Sequence, residues 1–208
     1  QSIKQLNQTE LIRYFKTENK GVAHARNYGI LRSGGNYVGF LDSDDFMEKD
    51  HLQTAFDFIQ QQKNPEIIHL NFLFGNENKD HVQKNKLPKL LPKDLFKSCS
   101  LHVNCLFVRA DIATTHLFNE SRDLMFAEDW DYFIKLAVRF PIKLLDKTTS
   151  YLTDHEDRSM RDFDETKWIK KRDALILSLT NDTVIQKKYI QSVKMVSAHM
   201  NSLIALNF

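Results

Sequence analysis

Asp42, Asp44 and Asp45 put three carboxylates within four residues, with Ser43 between the first two. Such a run repels itself unless a cation or hydrogen-bond donors compensate. Hard divalent ions, Mg²⁺ or Mn²⁺, favour oxygen ligands of this kind and commonly share them with substrate phosphates. The alternative is an acidic turn that caps the helix after it, and D-x-D alone does not choose between the two. An EF-hand is excluded, because Met47 follows Phe46 where that loop needs glycine. A second acidic group, Glu128, Asp129 and Asp131, opens a helix, where the dipole by itself favours negative charge. Cys99 and Cys105 are the two cysteines; they flank a short apolar segment and suit a reducing compartment as buried, unpaired thiols.

The elements around these residues follow from periodicity. Asn36–Leu41 is an apolar run that reads as a buried strand ending at Asp42. In open α/β sheets ligands collect at the carboxyl ends of strands, so a site is expected there. Upstream, Ile12–Thr17 reads as a strand, Asn19-Lys20-Gly21 as a turn and Val22–Arg32 as a helix, with Gly34-Gly35 past its end. Downstream come a helix over Asp50–Gln62, a strand over Ile67–Phe74, and a polar, lysine-rich Gly75–Leu91 that reads as a mobile loop. Val103–Val108 reads as a strand, and Ala127–Arg139 as a helix with Trp130, Phe133, Ile134 and Ala137 as its apolar stripe. Ile142–Leu145 and Ser150–Thr153 read as short strands. This alternation predicts an α/β fold, a mainly parallel sheet flanked by helices. After Phe163 two amphipathic helices, Glu165–Leu179 and Thr183–Leu206, divide the chain into an α/β part, 1–162, and a C-terminal helical extension, 163–208.

The balance of 42% hydrophobic and 27% charged residues is that of a globular domain, and it excludes disordered and collagen-like classes. A net charge of +2 makes no electrostatic case for nucleic acid. No run reaches the roughly 18 apolar residues of a membrane span. The last helix carries Ile185, Tyr189, Val193, Val196, Met200 and Leu203 at helical spacing beside lysines. It packs on its own domain or, alternatively, against a membrane surface or a further domain.

N-K-G-V-A-H-A-R-N-Y-G-I over Asn19–Ile30, then Y-V-G-F-L-D-S-D-D over Tyr37–Asp45, closely resembles family-2 glycosyltransferases. Ala127-Glu128-Asp129-Trp130-Asp131 is similar to that family's E-D-W motif, and Tyr151-Leu152-Thr153-Asp154-His155 to its Y-x-x-x-H segment. The family's opening strand and its base-reading Asp have no counterpart here, so the resemblance has the chain start inside the domain.

The resemblance implies a GT-A (Rossmann-like) fold and an inverting, metal-assisted transfer from a nucleotide-diphosphate sugar, a UDP-sugar by preference, to a carbohydrate acceptor. It implies Asp44 as the direct Mn²⁺ or Mg²⁺ ligand and Asp42 facing the donor ribose. Asp45 supports the donor sugar, and Asp129 is the general base. His155 is the additional metal ligand or a surface imidazole; Arg158 and Arg161 close over the diphosphate or belong to a solvated loop. Asn19, Gly21 and Arg26 fall at the donor side, with Arg26 either touching the donor or holding the acidic turn by an ion pair. His24 reads as structural, and Trp130 as core or as a stacking surface for an acceptor sugar. A retaining glycosidase is a poor fit, since no second helix-borne acid stands out. The family setting is cytoplasmic, at the inner face of the membrane. Two readings compete: a GT-A fragment that binds or scaffolds without turnover, and another Mg²⁺-dependent nucleotide enzyme such as a nucleotidyltransferase, against which Asp129 and the Asn19–Ile30 pattern argue.

Overall fold

The computed structural model describes residues 12–76, 82–154 and 164–207. Helix α1 (Val22–Ile30) opens at Gly21, whose φ of 99° is a conformation that glycine adopts without a Cβ penalty. Strand β1 (Tyr37–Gly39) follows, and the acidic turn lies between it and the two-residue β2 (Phe46–Met47). Then come α2 (His51–Gln61), β3 (Ile67–Asn76), β4 (Gln83–Lys84), β5 (Leu106–Arg109) and the short α3 (Ala110–Ala113). Helix α4 (Glu128–Ala137), strand β6 (Ile142–Asp154), and helices α5 (Glu165–Thr180), α6 (Thr183–Lys188) and α7 (Ile190–Asn207) complete the order.

The sheet runs β1-β5-β3-β6-β2, with β4 paired to β3. It is mixed, which corrects the expectation of a mainly parallel sheet. Among the described residues only β3 and β6 run parallel; β1–β5, β5–β3, β2–β6 and β3–β4 are antiparallel. The reason is that β5 slots between β1 and β3 in the reverse direction. Gly39 permits this close approach, because a Cβ there would lie 2.9 Å from the Phe107 ring.

Other departures have local causes. No strand forms over Ile12–Thr17; Phe15 instead packs edge-on against Tyr28 on α1, and Arg13 donates to the Arg32 carbonyl at 2.7 Å. Val103–Cys105 is a 3₁₀ turn, so β5 starts only at Leu106. The two short strands expected after α4 are one strand, β6, kept in register with β3 across irregularities near Asn71. The polar stretch after Gly75 contains β4, paired to β3 at Leu73 and Phe74. The last helix breaks at Tyr189, whose φ of −132° ends α6 while its ring stacks on Phe96.

One buried cluster joins the sheet to the C-terminal helices: Ile67, Leu106 and Val108 share it with Phe133, Trp168, Leu175, Val193 and Met200. The stripe of α6 and α7 is taken up by that core, with Ile185 and Val196 fully buried and Val193 and Met200 nearly so. At about 1.5–3 kcal/mol per buried aliphatic side chain this is a substantial share of the domain's stability. Among the described residues, no helix is long and apolar enough to cross a membrane.

Candidate active site

The acidic turn is positioned from both sides. Asn104, fully buried in the 3₁₀ turn just before β5, accepts from the Asp42 backbone N–H at 2.9 Å and donates through Nδ2 to Asp45 Oδ2 at 2.8 Å. Asp45 Oδ1 accepts from the Thr153 N–H at 3.0 Å, which ties the turn to β6. Asp45 is thus nearly buried, whereas Asp44 is exposed, and Asp42 keeps 27% of its side chain open.

Arg26 links this turn to the start of α4. Its guanidinium donates to Asp42 Oδ1 at 2.8 Å, to Asp129 Oδ1 at 2.5 Å and to Glu128 Oε1 at 3.3 Å, and it lies 5.4 Å from the centre of the Phe118 ring. Of the two roles weighed for Arg26, the ion pair is the one present here. Asn27, one residue on, holds α1 in place: it donates to the Phe118 carbonyl and to Glu120 and accepts from the Phe118 N–H.

One guanidinium facing three carboxylates leaves net negative charge in a poorly solvated place. Burial pushes the Asp129 carboxyl up to about 7; Glu128 and Asp42 push the same way, and Arg26 only partly offsets them. Such a value suits a group that takes up a proton near neutrality. Of the two thiols expected to be buried, Cys105 is, while Cys99 is exposed where it faces the same cavity. Asp131 belongs elsewhere: it is almost fully buried and pairs with Lys135 at 2.8 Å.

The turn, Arg26, Glu128 and Asp129 line one cavity of about 1210 Å³. Its far wall is Phe126, Trp168, Lys171, His199, Met200 and Leu203, from the C-terminal helices and the approach to the α4 N-terminus. Asn19 and Gly21 do not line it; the Asn19 side chain accepts from the Gly21 N–H at 3.3 Å, so the two shape the turn into α1. His24 pairs with Glu120 at 2.8 Å. Trp130 is 6% exposed and donates from Nε1 to the Leu95 carbonyl at 2.6 Å, so most of it packs in the core, although it also lines the cavity. His155, Arg158 and Arg161 lie outside the described residues.

His102 was not singled out by sequence. One ligand atom each from Asp42, Asp45 and His102 lie within 4.8 Å of one another, a donor set with room for a divalent ion. A carboxylate oxygen accepts more than one partner, so the bonds from Asn104 and Thr153 do not bar Asp45 from an ion. The only trace in the sequence is a polar pair, His102 and Asn104, at the head of an apolar strand.

The family model described as glycosyl transferase family 2 matches residues 1–113. The chain belongs to glycosyl transferase family 2. It is 28% identical over 147 residues to an uncharacterized glycosyltransferase of Rickettsia felis, covering 67% of this chain and 23% of that protein. It is 29% identical over 136 residues to the minor teichoic acid biosynthesis protein GgaA of Bacillus subtilis, covering 62% of this chain and 30% of GgaA. The chain therefore spans less than a third of these curated relatives. A crystal structure of S. aureus TarS 1–349 superposes with a TM-score of 0.58 at 19% identity, covering 91% of this chain and 54% of that chain, which shows a shared fold. Within the family-2 chain, the acidic turn and the Glu128-Asp129 pair come from distant segments of the fold and are joined through Arg26.

Proposed function

We propose that this family-2 chain transfers a sugar from a nucleotide-diphosphate donor, a UDP-sugar by preference, to a glycan or polymer acceptor with inversion. The observation that carries the reading is that the acidic turn and the Asp129 carboxylate open on one cavity, joined through a single guanidinium. Relatives named for teichoic acid biosynthesis and, in Escherichia coli, chondroitin synthase support polymer glycosylation as the class of reaction.

Asp129 accepts the proton of the acceptor hydroxyl as that oxygen attacks the anomeric carbon. The bond from that carbon to the diphosphate oxygen breaks with its electron pair going to the phosphate. A single displacement of this kind inverts the configuration. Arg26 restrains the Asp129 carboxylate and, through Asp42, the turn that meets the donor. Asp42, Asp45 and His102 would hold Mn²⁺ or Mg²⁺, and exposed Asp44, outside that cluster, is assigned to the ion on the resemblance. When bound, that ion supplies Lewis-acid stabilisation to the departing diphosphate. His155, Arg158 and Arg161 remain assigned to the metal and the diphosphate on the resemblance alone, and Asn19 and Gly21 to the shape of the donor side.

Calorimetric titration with UDP, with and without Mn²⁺, tests this. Mn²⁺-dependent binding that falls at least tenfold in Asp44→Ala is the expected result; binding of no nucleotide diphosphate by the wild-type chain would sink it. The second reading, a module that binds without turnover, draws on the short Arg26–Asp129 contact, which competes with base function. UDP binding without release of UDP from a UDP-sugar would favour it.

A further inference from the structure

The cavity has two chemically different walls. The charged wall serves the donor reading. The other has no part in it, yet it holds two aromatic rings and a cation. Trp168 is almost buried there, and the Lys171 ammonium sits 4.1 Å from its ring centre and 5.1 Å from that of Phe126. Phe126 itself is 38% exposed on the cavity, and its φ is 72°. A bulky residue in the left-handed region is strained where glycine would not be, and such strain persists where a side chain is needed in place. The ring stands three residues before Asp129.

A third observation points the same way. Glu128 Oε2 is buried and has no hydrogen-bond partner among the described residues, although Glu128 lines this cavity. A buried carboxylate oxygen without a donor is costly, so a ligand hydroxyl would find it ready to accept. An aromatic face beside an unmet acceptor matches a pyranose, which offers an apolar C–H face and a rim of hydroxyl donors.

We propose that Phe126, backed by Lys171 and Trp168, is the platform on which the acceptor's terminal sugar stacks, with one of its hydroxyls donating to Glu128 Oε2. The ligand class is a neutral pyranose at the end of a glycan. This rests on the glycosyl-transfer reading, and it displaces Trp130, which is buried and bonded to Leu95, as the stacking residue.

Saturation-transfer NMR tests it, using methyl β-D-glucopyranoside and methyl 2-acetamido-2-deoxy-β-D-glucopyranoside with the whole chain, UDP and Mn²⁺. The expected result is transfer to ring C–H protons of at least one sugar, reduced roughly fivefold in Phe126→Ala and Phe126→Gly and restored in Phe126→Trp. Phe126→Gly should melt no lower than wild type, because the strain is relieved and an exposed ring is lost, which separates a lost contact from a lost fold. Undiminished transfer in Phe126→Ala overturns the proposal. So does a wild-type chain that binds UDP but neither sugar, and there the donor reading survives. A chain that binds no UDP removes the donor reading and the platform together.

Discussion

At the scale of single residues, the carboxyl of Asp129 concentrates the chemistry. Arg26, Glu128, Asp42 and the Cys99 thiol face it, and burial holds it protonated up to about pH 7. The base form is the carboxylate, so kcat/KM should rise with pH through an apparent pKa near this value and then level off. Asp129→Asn should remove that limb and lower kcat by roughly 10²–10⁴ while Mn²⁺-dependent UDP binding persists. The stability linkage has the opposite sign. The folded-state pKa is raised, so the native state binds the proton more tightly than the unfolded chain, and wild type loses stability as pH rises from about 4 to about 7. The amide of Asp129→Asn takes up no proton in this range, so urea midpoints of the variant should lack this fall; parallel curves for the two proteins would refute the shift.

At the scale of elements, the site depends on how β5 begins. Had the strand started at Val103, as apolar patterning suggests, the side chains of this stretch would alternate across the sheet. The 3₁₀ turn over Val103–Cys105 instead directs Asn104 to the Asp42 N–H and the Asp45 carboxylate. Asn104→Ala removes both bonds from a fully buried position. Outer hydrogen bonds of this type are worth about 10–100-fold in metal affinity, so Mn²⁺ affinity measured by calorimetry should fall by that order. An unchanged affinity would mean that the turn holds its shape without β5. Helix α4 makes a related point: its apolar stripe was legible, but Tyr132 and Leu136 are buried as well, with Tyr132 stacked on Phe118 and Lys135 donating to Ser178 of α5 at 2.7 Å.

At the scale of the whole molecule, the division into 1–162 and 163–208 marks a change in sequence character, while the core runs across it. We infer that the two parts unfold together. Leu175→Ala, at a fully buried position on α5, should cost about 2–5 kcal/mol. Tryptophan fluorescence, from Trp130 on α4 and Trp168 on α5, and far-UV dichroism should then report one shifted transition. Separate transitions would show that the helices form a unit of their own. The shared core also bears on the membrane alternative, because the side chains that would face lipid are already buried in that core.

The sequence by itself determined the α/β class, the acidic turn after β1, the α4 helix with Glu128 and Asp129 in its first turn, and the family. Each is written in contiguous residues, through period, turn chemistry or motif spacing. Only the tertiary structure decided the rest. The sheet is mixed because β5 inserts in reverse beside β1, a pairing between segments some 70 residues apart. His102 comes within reach of Asp42 and Asp45 by the same insertion, and neither its type nor its neighbours announce it. That Arg26 gathers three carboxylates from two distant segments could not be read from its neighbours in sequence. The surroundings of Phe126 and Trp130 likewise follow from tertiary packing, with Lys171 of α5 over the Phe126 ring and His199 of α7 against Trp130, which local patterning does not encode.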